Sequence, residues 1–122
     1  MMKKIFKRIL VVEDELDLGE IMQIALSQAG YEVKILLNGK DIESHISKFS
    51  PSLIMMDLWM PGLDGVALTK KIKANKKTRN IPVVLVSARN GLEKTTKSCG
   101  ADDFLPKPFN LSDLLSLAKK FV

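Results

Sequence analysis

Apolar residues follow two alternating patterns along this chain. Short continuous apolar runs, rich in leucine and β-branched residues, are typical of buried strands. Three of them occur, at residues 9–12, 53–56 and 82–86, and two further strand-like runs that include charged residues lie at residues 31–36 and 103–105. Each run is followed by a segment with apolar residues at three- or four-residue spacing, which predicts an amphipathic helix. The pattern is therefore a strand followed by a helix, repeated five times.

Four of the five predicted helices have a distinct apolar face. The stretch 92–99 is the exception, because it has little apolar surface to bury. The predicted inward-facing residues of the other four are Leu18, Ile21, Met22, Ala25, Leu26 and Ala29; Ile42, Ile46 and Phe49; Leu68 and Ile72; and Leu111, Leu114, Leu115 and Ala118.

Continuous apolar strands separated by amphipathic helices predict a parallel β-sheet with helices on both faces, the doubly wound α/β arrangement. A length of 122 residues fits one domain, so we expect residues 1–122 to form a single unit. In open sheets of this kind, functional sites form at the carboxyl ends of the strands, near the point where the strand order reverses.

Composition and charge narrow the choice of function. Hydrophobic residues make up 46% of the chain, which is enough for a core, and no apolar run is long enough to span a bilayer. The net charge is +5, with lysines densest at residues 70–79, but no aromatic residues interleave with them. We therefore expect no nucleic-acid or membrane partner. One cysteine and no export signal predict a cytoplasmic protein.

Polar residues with possible chemical roles lie at or near the ends of four of the five predicted strands. Glu13 and Asp14 follow the first, Asp57 the third, Ser87 the fourth, and Lys107 comes shortly after the fifth. Because the strands are predicted to be parallel, these side chains should meet at one edge of the sheet.

This set of residues suits metal-assisted chemistry at phosphorus. Three carboxylates in one place repel one another, and a divalent cation relieves the repulsion. Oxygen ligands favour Mg²⁺. An aspartate can act as a nucleophile toward phosphorus, and a lysine can neutralise charge that develops during phosphoryl transfer.

Four segments of the chain together resemble the receiver (CheY-like) family of response regulators. They read ILVVEDE from residue 9, DLWMPGLDG from residue 57, VSA from residue 86 and GADDFLPKPF from residue 100. The resemblance extends over residues 8–121. It implies a single receiver domain with a flavodoxin-like five-stranded sheet of order 2-1-3-4-5.

The resemblance also implies a phosphorylation and metal site. Asp57 would accept the phosphoryl group. Mg²⁺ would be bound by Glu13, Asp14 and Asp57, and by the backbone carbonyl of Trp59.

Further residues would convert phosphorylation into a change of shape. Lys107 would pair with Asp57 or its phosphoryl group, and the Lys107–Pro108 peptide bond would be cis. Ser87 would move toward the phosphoryl group. Phe104 would be the aromatic switch residue whose ring turns inward on activation, although it lacks the hydroxyl of the tyrosine that is frequent there.

The function implied is a phosphorylation-activated switch rather than an enzyme, because the domain would catalyse only its own phosphorylation and slow dephosphorylation. The donor would be a sensor histidine kinase or a histidine phosphotransfer protein. A downstream protein, or a second copy in a homodimer, would bind the face formed by residues 92–121. We expect the weakly apolar stretch 92–99 within that face to shift easily.

Several residues outside this set carry weaker expectations. The bulky Trp59 side chain could shield the acyl phosphate from water, helped by Arg89, which predicts slow phosphate loss; alternatively, Trp59 leans into solvent. We expect His45 to pack at the edge of the core and Cys99 to be a semi-buried thiol without a role.

Three other functions compete with the switch. A haloacid-dehalogenase-type phosphatase needs a second aspartate two positions after Asp57, where this chain has Trp59. A nucleotide- or flavin-binding module needs a glycine-rich loop after the first strand, where Glu13 and Asp14 stand. A degenerate receiver would act as a docking module independent of phosphorylation.

Overall fold

The computed structural model describes residues 7–88 and 90–122, which contain seven strands and five helices joined by loops. In chain order they are β1 (Arg8–Val12), α1 (Leu16–Gln28), β2 (Glu32–Leu36), α2 (Ile42–Phe49), β3 (Leu53–Asp57), β4 (Trp59–Met60), β5 (Leu63–Asp64), α3 (Gly65–Ala74), β6 (Val83–Ser87), α4 (Leu92–Cys99), β7 (Asp103–Pro106) and α5 (Leu111–Phe121). Arg89, to which we assigned a possible shielding role, lies outside the described residues.

Five strands form one parallel sheet in the spatial order β2-β1-β3-β6-β7. With the separate β4–β5 hairpin left out of the numbering, this is the order 2-1-3-4-5, so the predicted fold is confirmed. The strand order reverses between β1 and β3, which are paired from Ile9 and Leu53 to Val12 and Met56. The ends of these two strands therefore mark the expected position of a site.

Each face of the sheet is covered by helices, which explains the continuous apolar strands. On one face α1 and α5 pack over Ile9, Val11, Leu53, Met55, Val84 and Val86. On the other face α2, α3 and α4 pack over Leu10, Val12, Ile54, Met56, Val83 and Leu85. All these strand residues are at most 2% exposed. No helix among the described residues is long and apolar enough to cross a membrane.

The buried face of α1 is narrower than the sequence pattern predicts. Met22 and Leu26 are buried, but Ile21 is 49% exposed, so its predicted inward position is wrong. Neighbouring residues on an α-helix point about 100° apart, and Ile21 therefore faces away from the sheet when Met22 faces it. Leu111, at the first turn of α5, is also exposed.

The predicted burial of two further residues, His45 and Cys99, can be compared with the structure. His45 is half-buried on α2, in agreement with a place at the edge of the core. Cys99 is only 3% exposed and belongs to the core on the α4 side, so it is fully buried rather than semi-buried.

A cluster of polar contacts lies at the amino end of the sheet, next to the start of β6. The Asp102 carboxylate accepts hydrogen bonds through Oδ2 from Lys73 Nζ at 2.7 Å and from the Val83 backbone N–H at 2.8 Å. Lys73 Nζ also donates to the carbonyl oxygen of Ile81 at 2.8 Å. One carboxylate thus joins α3, the start of β6 and the loop before β7.

Removal of this carboxylate should destabilise the fold. We expect Asp102→Ala to lower the free energy of unfolding by about 1–3 kcal/mol, because the Val83 N–H loses its charged acceptor. Urea denaturation measures the change. Glu93→Ala is the control, since Glu93 contacts Lys97 at 3.7 Å on the exposed side of α4, and such pairs contribute less than about 0.5 kcal/mol. Equal losses in the two variants would contradict the assignment.

Candidate functional site

The carboxyl ends of the two central strands bring three acidic side chains together. Glu13 and Asp14 follow β1, and Asp57 ends β3. One carboxylate oxygen from each of the three lies within 4.8 Å of the others. Glu13 and Asp57 are 1% and 7% exposed, whereas Asp14 is exposed at the mouth of the site. The predicted cluster therefore exists, with two acids inside and one facing solvent.

Lys107 places its ammonium group between the two buried acids. Its Nζ lies 2.7 Å from Glu13 Oε1 and 2.9 Å from Asp57 Oδ2. The backbone N–H of Lys107 donates to the carbonyl oxygen of Ser87 at 2.9 Å, which joins the ends of β6 and β7. The Lys107–Pro108 peptide bond is cis, as predicted.

Backbone N–H groups hold the two buried carboxylates in place. Trp59 N–H donates to Asp57 Oδ1 at 3.0 Å, and Glu15 N–H donates to Glu13 Oε2 at 3.1 Å. Asp57 is therefore bound at one oxygen by Trp59 and at the other by Lys107. Its side chain is fixed in orientation before any ligand binds.

Burial and charge act in opposite directions on the ionisation of these groups. Burial raises the pKa of Glu13 above its ordinary value, and the contacts with Lys107 and the Glu15 N–H oppose this only in part. For Lys107, burial by itself lowers the pKa, but the close contacts with the negatively charged Glu13 and Asp57 carboxylates outweigh it, so the pKa is raised. Lys107 is therefore a permanent cation at neutral pH.

The donor set fits a hard divalent cation. Glu13 Oε1 is buried and accepts no hydrogen bond of good geometry from the described residues; its 2.7 Å contact with Lys107 is ionic. Carboxylate and carbonyl oxygens are the ligands that Mg²⁺ prefers, and it commonly keeps several waters. The exposed Asp14 leaves one side of the cluster open to such waters.

The remaining predicted residues lie around this centre. Ser87 is 4% exposed at the end of β6. Phe104 pairs with Leu85 in the sheet and is half-buried against the core on the α4 side. Trp59 is 62% exposed at the rim, although its backbone reaches Asp57.

Comparison with known proteins decides the family. The sequence matches the response regulator receiver domain family over residues 9–119. The chain belongs to this family. Its predicted resemblance is thereby confirmed, and the acids, the lysine and the serine described above lie within the matched residues.

Named relatives and solved structures agree with this assignment. The receiver domain is 35% identical over 118 residues to the phosphate regulon transcriptional regulatory protein PhoB of Escherichia coli, covering 93% of this chain and 50% of that protein. A response regulator receiver domain from Bermanella marisrubri superposes with a TM-score of 0.86 at 31% identity, covering 96% and 98% of the two chains. Chemotaxis protein CheY4 of Vibrio cholerae has a TM-score of 0.87 at 23% identity, covering 97% and 100%, which shows the shared fold.

The chain spans about half the length of the curated relatives that it matches, among them PhoB and the DNA-binding regulator RpaA of Synechocystis.

Sequence reasoning missed the structural part played by Gly65. A Cβ at Gly65 would lie 3.1 Å from both Leu58 Cα and Leu58 O, and 3.2 Å from Asp57 O. The start of α3 therefore packs directly against the backbone that carries Asp57. The sequence signal was available, because Asp64 followed by glycine suits a helix start, and Asp64 Oδ1 does accept from the N–H groups of Val66 and Ala67.

Loss of the central cation should destabilise the receiver domain. Lys107→Met keeps most of the side-chain volume but leaves Glu13 and Asp57 without a counter-charge. Without added Mg²⁺ at neutral pH, we expect the free energy of unfolding to fall by about 3 kcal/mol, measured by urea denaturation. Lys120→Met is the control, because Lys120 contacts Asp103 at the surface and should contribute less than about 1 kcal/mol.

The loss of stability caused by Lys107→Met should also depend on pH. Because the pKa of Glu13 is raised by folding, its protonation favours the folded protein, and this contribution is lost as pH rises through the raised pKa. Lys107→Met removes the cation that opposes protonation of Glu13. Protonation of Glu13 then offsets more of the lost stability in this variant. The penalty should shrink as pH falls from neutral; the same penalty at neutral and acidic pH would refute this account.

Proposed function

We propose that this receiver domain is a phosphorylation-activated signalling switch whose phosphoacceptor is Asp57. The observation that carries the proposal is the position of the Asp57 carboxylate. It lies at the carboxyl end of a buried central strand, within 4.8 Å of two further carboxylates and 2.9 Å from the Lys107 ammonium group. A buried charge of this kind is costly unless it is paired or used.

The residues support transfer of a phosphoryl group to the carboxylate. An oxygen of Asp57 forms a bond to phosphorus, while the bond from phosphorus to the donor breaks and its electron pair leaves with the donor group. Lys107 offsets negative charge on the phosphoryl oxygens. The Trp59 N–H keeps the carboxylate plane in position. In this proposal the donor is a phosphohistidine of a sensor histidine kinase or of a histidine phosphotransfer protein.

Glu13, Asp14, Asp57 and the Trp59 carbonyl would hold Mg²⁺. When bound, the ion offsets the combined negative charge of the carboxylates and the phosphoryl group.

The switch part of the proposal concerns Ser87, Phe104 and α4. Ser87 would donate to the phosphoryl group, and the half-buried Phe104 ring would turn further inward. Along the chain, α4 lies between Ser87 and Phe104. Its buried residues are Leu92, Thr96 and Cys99, of which only Leu92 is a large apolar side chain. Small apolar burial makes an element easier to displace. Phosphorylation would bias this face, residues 92–121, toward binding a downstream protein or a second copy.

The first test is phosphorylation itself. Wild-type protein incubated with acetyl phosphate and Mg²⁺ should gain a single phosphoryl adduct by intact mass. Asp57→Asn should gain none, because an amide is not a nucleophile toward phosphorus. Asp113→Asn, the same change on the exposed first turn of α5, is the control and should be modified like the wild type.

The outcomes separate two functions. An adduct that needs both Mg²⁺ and Asp57 supports the switch. No adduct on the wild type, together with Trp59 fluorescence that ignores Mg²⁺, would favour a docking module that acts without phosphorylation.

Trp59 carries a second prediction, about the lifetime of the phosphoryl group. The indole stands at the rim next to Asp57, where it would hinder the approach of water. We expect Trp59→Asn to lose phosphate severalfold faster than the wild type after the donor is removed, with Trp59→Phe intermediate, measured by intact mass over time. If Trp59→Asn keeps its phosphate as long as the wild type does, the exposed indole simply extends into solvent and shields nothing.

A further inference from the structure

The β4–β5 hairpin connects the acidic site to the loop that follows β2. The hairpin begins at Trp59, whose N–H binds Asp57, and returns at Asp64, which caps α3. Its two strands pair Trp59 with Asp64 and Met60 with Leu63. Because each strand has only two residues, a shift of the returning strand is passed directly to the strand that carries Trp59.

Gly39 is the point where the β2–α2 loop meets the returning strand. A Cβ at Gly39 would lie 2.8 Å from Leu63 Cβ, 3.1 Å from Leu63 Cδ1 and 3.3 Å from Gly62 O. Carbon atoms in contact are ordinarily about 3.5–4.0 Å apart. A side chain at this position therefore cannot be accommodated unless the loop or the hairpin moves.

Close approach, rather than backbone conformation, is what requires glycine here. Gly39 is not among the glycines with positive φ, unlike Gly30 and Gly62. An alanine can therefore adopt the backbone conformation of Gly39. The conflict arises mainly between its methyl group and Leu63, with the carbonyl oxygen of Gly62 also close.

The hairpin has little freedom to absorb such a conflict elsewhere. Met60 is 5% exposed and belongs to the core on the α4 side. Beyond the returning strand, Gly65 packs against the backbone of Leu58. The part of a displacement of Leu63 that the β2–α2 loop does not absorb is therefore directed along the hairpin to the backbone at Trp59.

We infer that Gly39 is a positioning residue for the metal site, because its lack of a side chain lets the hairpin settle where the Trp59 backbone can serve Asp57 and the cation. The inference rests on the proposed function, in which the Trp59 carbonyl binds Mg²⁺. It extends the site to a loop that contributes no ligand.

The test is a Mg²⁺ titration followed by the fluorescence of Trp59, the single tryptophan of the chain. Gly39→Ala should raise the dissociation constant for Mg²⁺ about tenfold, the size of effect seen when groups that orient metal ligands are altered. It should also change the Trp59 emission spectrum of the metal-free protein. The spectral change reports the hairpin itself and does not depend on phosphorylation.

Gly30→Ala is the matched control for general destabilisation. Gly30 has a φ of +101° and no atom within 4 Å of an added Cβ, and it lies between α1 and β2, at the amino end of the strand that Gly39 follows. Alanine there strains the backbone, so thermal stability should fall. The Mg²⁺ affinity and the Trp59 spectrum should stay as in the wild type.

A double variant tests the contact directly. If the methyl group acts through Leu63, the loss of Mg²⁺ affinity caused by Gly39→Ala should disappear when Leu63→Gly is the background. An unchanged loss in that background, or a Gly39→Ala protein with wild-type affinity and spectrum, would overturn the inference and leave the proposed function standing. A wild type that does not bind Mg²⁺ would overturn both.

Discussion

The ion pairs of Lys107 are the interaction on which the rest of this site depends. Glu13 directly follows β1 and Asp57 ends β3, so two carboxylates stand at the ends of the central strands where water has little access. Such charges are tolerated only with a cation close by. Lys107 supplies it from the end of β7, an edge strand, and crosses the end of β6 to do so. The strand order is therefore a condition for the charge balance, and not only a scaffold.

The positive and negative charges at this edge of the sheet do not balance, and the function that we propose depends on the excess negative charge. Three carboxylates face one ammonium group, which leaves an excess of negative charge. In the proposed function, a divalent cation would offset the excess, and a phosphoryl group would add to it again. Each of these steps would change the electrostatic field at Ser87, whose carbonyl oxygen accepts a hydrogen bond from the Lys107 N–H. Such a change of field would act next to α4, in which Leu92 is the one large apolar side chain that is buried.

Much of this arrangement could be predicted from the sequence, for identifiable reasons. The three central strands β1, β3 and β6 are buried on both faces, so their apolar pattern is nearly continuous. The parallel connection then places Glu13, Asp14, Asp57, Ser87 and Lys107 at one edge. The exposure of Ile21 could not be predicted, because several apolar residues on α1 compete for one narrow contact with the sheet. The β4–β5 hairpin was also missed, since strands of two residues have no periodicity. The contact of Gly39 with Leu63 joins segments far apart in the sequence and is visible only in three dimensions.

The burial of Cys99 has a practical consequence for experiments on this protein. Cys99 is the only cysteine of the chain, and its thiol lies in the core, 3.7 Å from the carbonyl oxygen of Thr96. Reagents that modify thiols act on the exposed thiolate. A second cysteine introduced at an exposed position, such as Ser116 on α5, would therefore react selectively in the native protein. Dyes or spin labels could be attached at chosen positions with the natural cysteine left in place.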